Sequence, residues 1–146
     1  MPITFTNHFN GLLDDLVAFF QTEFGHEVAI IKGDAEPVSN QPMIIIEPLS
    51  KDTDSEVTNA QKKMTFQVAF FCTLWDGNAS NGVIQITQLA ERLEQLLLNN
   101  KKYPDNSGAS WVNSFPGRSE YGIRKQGGHF LKASRITWTF DKWATR

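Results

Sequence analysis

The side chains with the plainest claim to chemistry are three histidines, one cysteine and a pair of glutamates. His8, His26 and His129 lie far apart in the chain. None stands at a metal-ligand spacing, and a zinc site would need them to converge with a carboxylate. Cys72 is the single cysteine, which excludes an internal disulfide and any cysteine-rich metal site. Its apolar, strand-like surroundings point to a buried structural thiol rather than a nucleophile. Glu91 and Glu94 are three residues apart on a helix, a spacing that allows acid–base work in principle. They fall opposite a leucine stripe with Arg92 beside them, so a solvated helix face is the plainer reading. No Gly-x-Ser-x-Gly elbow is present. Gly127-Gly128 precedes a strand rather than a helix, so it does not form a phosphate-cradling turn. Phe130, Lys132, Arg135, Trp138, Lys142 and Trp143 interleave aromatic and basic residues, as a single-strand nucleic-acid platform would. The basic-Gly-aromatic signature of an RNA-recognition sheet is missing from the strand Met64–Phe70, and a core face with a basic rim accounts for the pattern. No catalytic, cofactor or metal site is expected.

The elements that would position these residues follow from periodicity. Phe9, Leu12, Leu13, Leu16, Val17, Phe20 and Phe24 recur at three- and four-residue spacing and predict a helix over Phe9–Phe24. Thr6 or Asn7 caps its start, Gly25 its end, and Asp14 and Asp15 face water. A short strand at Val28–Ile31 and a Gly33/Pro37 turn come next. Met43–Glu47 reads as a strand closed by Pro48. Leu49–Lys62 is polar and without period, and reads as a long loop, of the kind that is functional or disordered. From Lys63 to Trp75 the period is two. Met64, Phe66, Val68, Phe70, Cys72 and Leu74 face one way; Thr65, Gln67, Ala69, Phe71, Thr73 and Trp75 face the other. Such a strand is roughly 40 Å long, about twice the usual length.

After an Asp76-Gly77-Asn78 turn, a second helix is expected over Val83–Leu98, capped by Ser80 or Asn81. Its buried stripe is Val83, Ile86, Leu89, Ala90, Leu93, Leu96 and Leu97. Asn99–Gly108 is a polar loop. Ser110–Phe115 and Ser119–Lys125 read as two strands parted by Pro116-Gly117, and Gln126-Gly127-Gly128 is a hairpin signal. His129–Trp143 is the second long alternation. Phe130, Lys132, Ser134, Ile136, Trp138 and Phe140 share one face; Leu131, Ala133, Arg135, Thr137, Thr139 and Asp141 take the other. The sum is an α+β fold: a mostly antiparallel sheet with two long strands and two helices on one face.

Composition sets the remaining bounds. The chain of 146 residues suits one domain, and 40% hydrophobic content with eleven Phe and four Trp supplies a core. The N-terminus shows no basic region followed by an apolar run, so no signal peptide is expected. No stretch approaches the ~18 apolar residues of a membrane span. A reducing cytoplasm is therefore the expected compartment of its synthesis. The net charge of −2 lacks the basic excess of a nucleic-acid binder.

The charge is unevenly spread. Residues 1–56 carry ten acidic and two basic side chains, whereas residues 118–146 carry seven basic and two acidic. The two ends either neutralise each other within one fold or meet head to tail between subunits, a contact that closes into a ring when the rotation allows. Apolar residues also occur on both faces of the long strands, as at Phe70 and Phe71. Two helices cover only one face, so neighbouring subunits are expected to shield the other.

This layout resembles the tail terminator (tail completion) family of long-tailed bacteriophages. The resemblance spans nearly the whole chain. The helix Phe9–Phe24 leads into Val28–Ile31, and the apolar strand Met43-Ile44-Ile45-Ile46-Glu47-Pro48 precedes a polar loop. The long strand Met64–Trp75 leads through Asp76-Gly77-Asn78 into the helix Val83–Leu98. A late hairpin ends in Arg135-Ile136-Thr137-Trp138-Thr139-Phe140. The resemblance implies a virion structural protein, assembled in the host cytoplasm, with no enzymatic activity and no cofactor. It implies a ring, commonly a hexamer, that caps the tail tube, ends its polymerisation and joins the head connector. Its partners are then copies of itself, the tail-tube protein and the connector, with no membrane and no sequence-specific nucleic acid. The interface candidates are Lys51, Asp52, Asp54, Glu56 and Lys62 in the polar loop, and Arg118, Arg124, Lys132, Arg135 and Lys142 in the basic end. Another head–tail connector or tube protein is the nearest alternative. A small α+β ligand-binding domain or enzyme is the alternative of a different class, with a pocket lined by His129, Glu120 and Tyr121 as its mark.

Overall fold

The computed structural model describes residues 3, 5–33, 42–54, 61–74, 79–103, 111–126 and 129–145, those at 61, 79, 124–126, 129, 130 and 145 by backbone alone. Helix α1 (His8–Phe24) begins where the Asn7 side chain accepts a hydrogen bond from the Asn10 N–H. It ends at Gly25, whose φ of 59° is the left-handed conformation that glycine adopts without strain. Strand β1 (Ala29–Lys32) follows and is fastened back to α1 by Lys32, 2.6 Å from Asp14 and 2.8 Å from Asn10.

Strands β2 (Met43–Asp54) and β3 (Gln61–Leu74), helix α2 (Ala79–Leu98), and strands β4 (Asn113–Gln126) and β5 (His129–Thr145) complete the fold. They form a five-stranded sheet in the order β1-β2-β3-β5-β4. Among the described residues only β1–β2 is parallel. The α+β class with a mostly antiparallel sheet is the expected one.

The core lies between the helices and one face of the sheet. From α1 it takes Leu12, Leu16, Phe20 and Phe24, and from α2 Ile86, Ala90, Leu93 and Leu97. The sheet supplies Ile44, Ile46, alternate residues Met64 to Leu74, and Ile136, Trp138 and Phe140. Trp111 closes one side. Its ring lies 5.6 Å from Phe19, 5.1 Å from Tyr103 and 5.1 Å from Phe140, and its Nε1–H donates to the Asn100 carbonyl at 2.9 Å. The indole thus contributes apolar area while its one donor is satisfied.

Several boundaries depart from expectation, each for a physical reason. Strand β2 does not stop at Pro48 but runs on to Asp54, because a bulge between Pro48 and Ser50 absorbs the proline and pairing with β3 resumes. The expected loop Leu49–Lys62 is therefore strand at 49–54 and at 61–62. The part at 55–60, with Glu56, lies outside the described residues, as do the turns at Pro37 and at Asp76-Gly77-Asn78, most of the loop Asn99–Gly108, and Trp75. Helix α2 starts at Ala79, so Ser80 and Asn81 lie in its first turn rather than capping it. Val83 is exposed, not part of the buried stripe. The two expected strands around Pro116-Gly117 are one, β4, carrying a bulge between Pro116 and Ser119. At that bulge the Gly117 Cα backs onto β5, and a Cβ there would meet the Thr137 carbonyl oxygen at 2.8 Å.

The face opposite the helices is not the oily surface expected from the two long alternations. Thr65, Gln67, Thr137 and Thr139 occupy its middle, all half-buried or exposed. At one end buried Met43 and Ile45 pack with Ala29, Ile31 and Phe71, and elsewhere on this face Phe115 and Trp143 are exposed. The ground for self-association lies elsewhere.

Candidate self-association interface

At one end of the sheet β2, β3 and β5 form a three-stranded ribbon. Lys51 pairs with Phe66, Asp52 with Thr65, Thr53 with Met64 and Asp54 with Lys63. On the other side of β3, Phe66 pairs with Phe140, Thr65 with Asp141, Met64 with Lys142 and Lys63 with Trp143. Residues paired across strands share a face. The helix side of the ribbon therefore carries Lys51, Lys62 and Lys142, and the other side carries Asp52, Asp54, Asp141 and Lys63.

The Pro48–Ser50 bulge creates this segregation. Ahead of it the even residues Ile44 and Ile46 face the helices; beyond it the odd residues Lys51 and Thr53 do. A continuous strand would place Lys51 on the acidic side and Asp52 and Asp54 among the lysines, since one residue of slip exchanges the faces. The bulge puts like with like.

The basic side is completed by His8 at the start of α1. Burial lowers its pKa first, and then Lys142, Lys62 and Lys51, in that order, lower it further by repulsion. Three lysines converge there, and none has an ion-pair partner among the described residues. The Lys51 ammonium lies 5.8 Å from the Phe66 ring centroid, its stem covering apolar surface. On the acidic side Asp141 is committed internally: it accepts from the Thr65 hydroxyl at 2.9 Å and lies 3.8 Å from Lys63. Asp52 and Asp54 are exposed. The outer edge of β2 is unpaired along Lys51–Asp54 among the described residues, because β1 pairs only with Met43–Ile46.

The other expected interface residues are scattered. Arg118 is exposed at the β4 bulge, 3.7 Å from Glu120. Lys132 is half-buried on the helix side, near the opposite end of the sheet. Arg135 is on the far face, 5.9 Å from the Phe71 ring. Arg124 stands on β4 across from Leu131. Thus Lys51, Lys62 and Lys142 come together, Asp52 and Asp54 come together, and the remaining arginines and Lys132 join neither group. His8 and Asp141 were missed. A phase shift beyond Pro48 separates Lys51 from Asp52 and Asp54, but it places neither His8, on α1, nor Asp141, on β5.

The residues considered for chemistry are dispersed. Trp138 is buried on the helix side while Arg135 and Trp143 face the other way, so the aromatic–basic series makes no platform. Glu91 is exposed, but Glu94 is half-buried and 3.4 Å from the Ser119 hydroxyl. Arg92 ties α2 to the end of α1, 3.5 Å from Glu23 and 3.3 Å from Glu27, with its guanidinium 4.6 Å from the Phe24 ring centroid. Cys72 is buried and its thiol is pushed up to about 12 by burial alone.

A groove of about 400 Å³ lies across β3, β5 and β4, lined by Phe71, Glu120, Tyr121, Gly122, Ile123, Ala133 and Arg135. Burial, then Glu91 and Glu94, push the Tyr121 hydroxyl pKa up. Glu120 and Tyr121 are consecutive on a strand and point to opposite faces, so they do not converge as an acid–base pair. The side chain of His129 lies outside the described residues. No protein-family model and no curated protein matches the chain.

Proposed function

We propose that this chain is a structural subunit that joins copies of itself head to tail into a ring. The ring caps a bacteriophage tail tube, ends its polymerisation and presents a joint to the head connector. The observation that carries the reading is the ribbon with Lys51, Lys62 and Lys142 on one side and, on the other, Asp52 and Asp54 beside an Asp141–Lys63 pair. A surface of this kind is complementary to a second copy in a heterologous sense, basic side to acidic side, and repeated heterologous contacts close a ring. Each contact is modest, and closure multiplies them. The role at the tube end draws its support from the order of elements: helix, short strand, two long paired strands, helix and a late hairpin. Such a role needs surfaces alone, one side matching the tube end and one refusing another tube subunit.

Electron microscopy of tail-tube subunits polymerised with and without the chain tests this. Short tubes bearing a terminal ring support the reading; tubes of unchanged, uncontrolled length overturn it.

A further inference from the structure

Gly122 stands inside β4 without a reason in its own chain. It pairs with Ala133, and its backbone is not in the left-handed region that calls for glycine. A Cβ added there would meet nothing within 4 Å. Glycine weakens a strand interior, and one use that offsets the loss is to let a ligand or another backbone approach closely.

The space beside Gly122 is the groove of about 400 Å³, a volume ordinary for a small-molecule site. The register gives its shape. Ala133 and Gly122 lie side by side on the face away from the helices and make a floor of little bulk. Phe71, Arg135 and Glu120 form the next row on the same face, a wall roughly 10 Å long across β3, β5 and β4. Tyr121 and Ile123 flank Gly122 along β4, but they pair with Ser134 and Lys132 and turn their side chains to the helix side.

Arg135 supplies the chemistry. Its side chain is half-buried, with the guanidinium 5.9 Å from the Phe71 ring centroid, and it has neither hydrogen bond nor ion pair among the described residues. The carboxylate directly across from it, Glu120, lies instead 3.7 Å from Arg118. A planar fork of N–H donors beside an aromatic ring and a flat floor matches a flat carboxylate. The proximity of Glu120 favours a single negative charge over a dianion.

We propose that this groove binds a small flat monocarboxylate, its oxygens on Arg135 and its apolar body between Phe71 and the floor of Gly122 and Ala133. The site lies at the opposite end of β3 and β5 from the charged ribbon, and it does not depend on self-association.

The test is an NMR titration of the full, isotope-labelled chain with naphthoate, beside neutral naphthamide. Expected are saturable shifts at the amides of Gly122, Ala133 and Arg135, with a Kd on the order of 1 mM. The amide should bind about 10-fold more weakly or worse, because it carries no charge for the fork. Gly122→Val fills the floor without meeting the rest of the chain, and valine suits a strand. It should keep the parent's Tm and lose binding about 10-fold or more, as should Arg135→Gln. Glu120→Gln should tighten binding about 3-fold by removing a like charge. Absence of saturable shifts up to about 20 mM, shifts confined to other residues, or equal binding of the amide overturns the proposal. So does a Gly122→Val chain that binds naphthoate like the parent. A Gly122→Val chain that associates less, from a parent that takes up no naphthoate, assigns the groove to a contact between copies and overturns it too.

Discussion

The charge-segregated ribbon makes a demanding prediction, because its two sides can be reversed separately. Lys51→Glu with Lys142→Glu makes both sides acidic; Asp52→Lys with Asp54→Lys makes both basic. The altered side chains are exposed or half-buried at the end of the ribbon, so the core between the helices and sheet is untouched. An exposed ion pair is worth about 0.2–1 kcal/mol. Reversal replaces attraction with repulsion of similar size, so two reversals cost on the order of 1–4 kcal/mol per contact, or about 5- to 1000-fold in its equilibrium constant. Light scattering at fixed concentration reads the result. Each variant alone should stay small where the parent assembles. An equal mixture of the two should assemble again, because each contact then joins a basic side to an acidic one, alternately native and swapped. Rescue should fade with salt as the screening length falls from about 10 Å at 0.1 M to about 3 Å at 1 M. Variants that assemble alone as the parent does, or a mixture that fails to recover, would refute the reasoning.

Three further outcomes are expected. Because burial and three lysines hold His8 below its ordinary value, folding favours the neutral ring. Its contribution is whole above pH ~6.5 and is lost as pH falls from there through the lower folded value, so urea midpoints should drop on acidification less steeply in His8→Gln; an identical pH dependence contradicts this. Cys72, with its thiol pushed up to about 12, should resist thiol reagents in the native chain and be labelled only at the rate of global unfolding; labelling at once in native buffer contradicts its burial. Gly117→Ala places a Cβ 2.8 Å from the Thr137 carbonyl oxygen, a backbone atom that cannot swing away. It should cost about 1–3 kcal/mol, roughly 3 to 10 °C in Tm, and Thr137→Gly should not rescue it; a Tm at or above the parent's contradicts the bulge geometry.

How much of this was legible in the sequence depended on whether one side of an element was buried. Helix α1 and strand β3 carry a continuous apolar series on one side, and β5 carries one from Ile136 to Phe140, so their register could be read from it. Strand β2 beyond Pro48 could not be read so: its residues Lys51–Asp54 are exposed on both sides, and polar residues alternating with polar residues look like a loop. The start of α2 was hidden for a related reason, since Val83 and Ile84 are exposed and its first turn has no apolar stripe. In β4, Pro116-Gly117 read as a break, whereas an edge strand with a bulge tolerates both residues. The interface candidates were named from charge and position. What grouped them was the phase shift at Pro48–Ser50, which belongs to the pairing with β3. The expected oily sheet face failed because apolar and β-branched residues alternate alike; Thr137 and Thr139 satisfy strand propensity without requiring cover.

The measurement that bears most directly on the account is the mass of the purified chain in solution, followed over protein and salt concentration. A single species at a fixed multiple of 16.5 kDa, retreating toward one subunit as salt rises, is the expected result. A particle of one subunit at every concentration, or an open-ended ladder of sizes with no preferred closure, would contradict it.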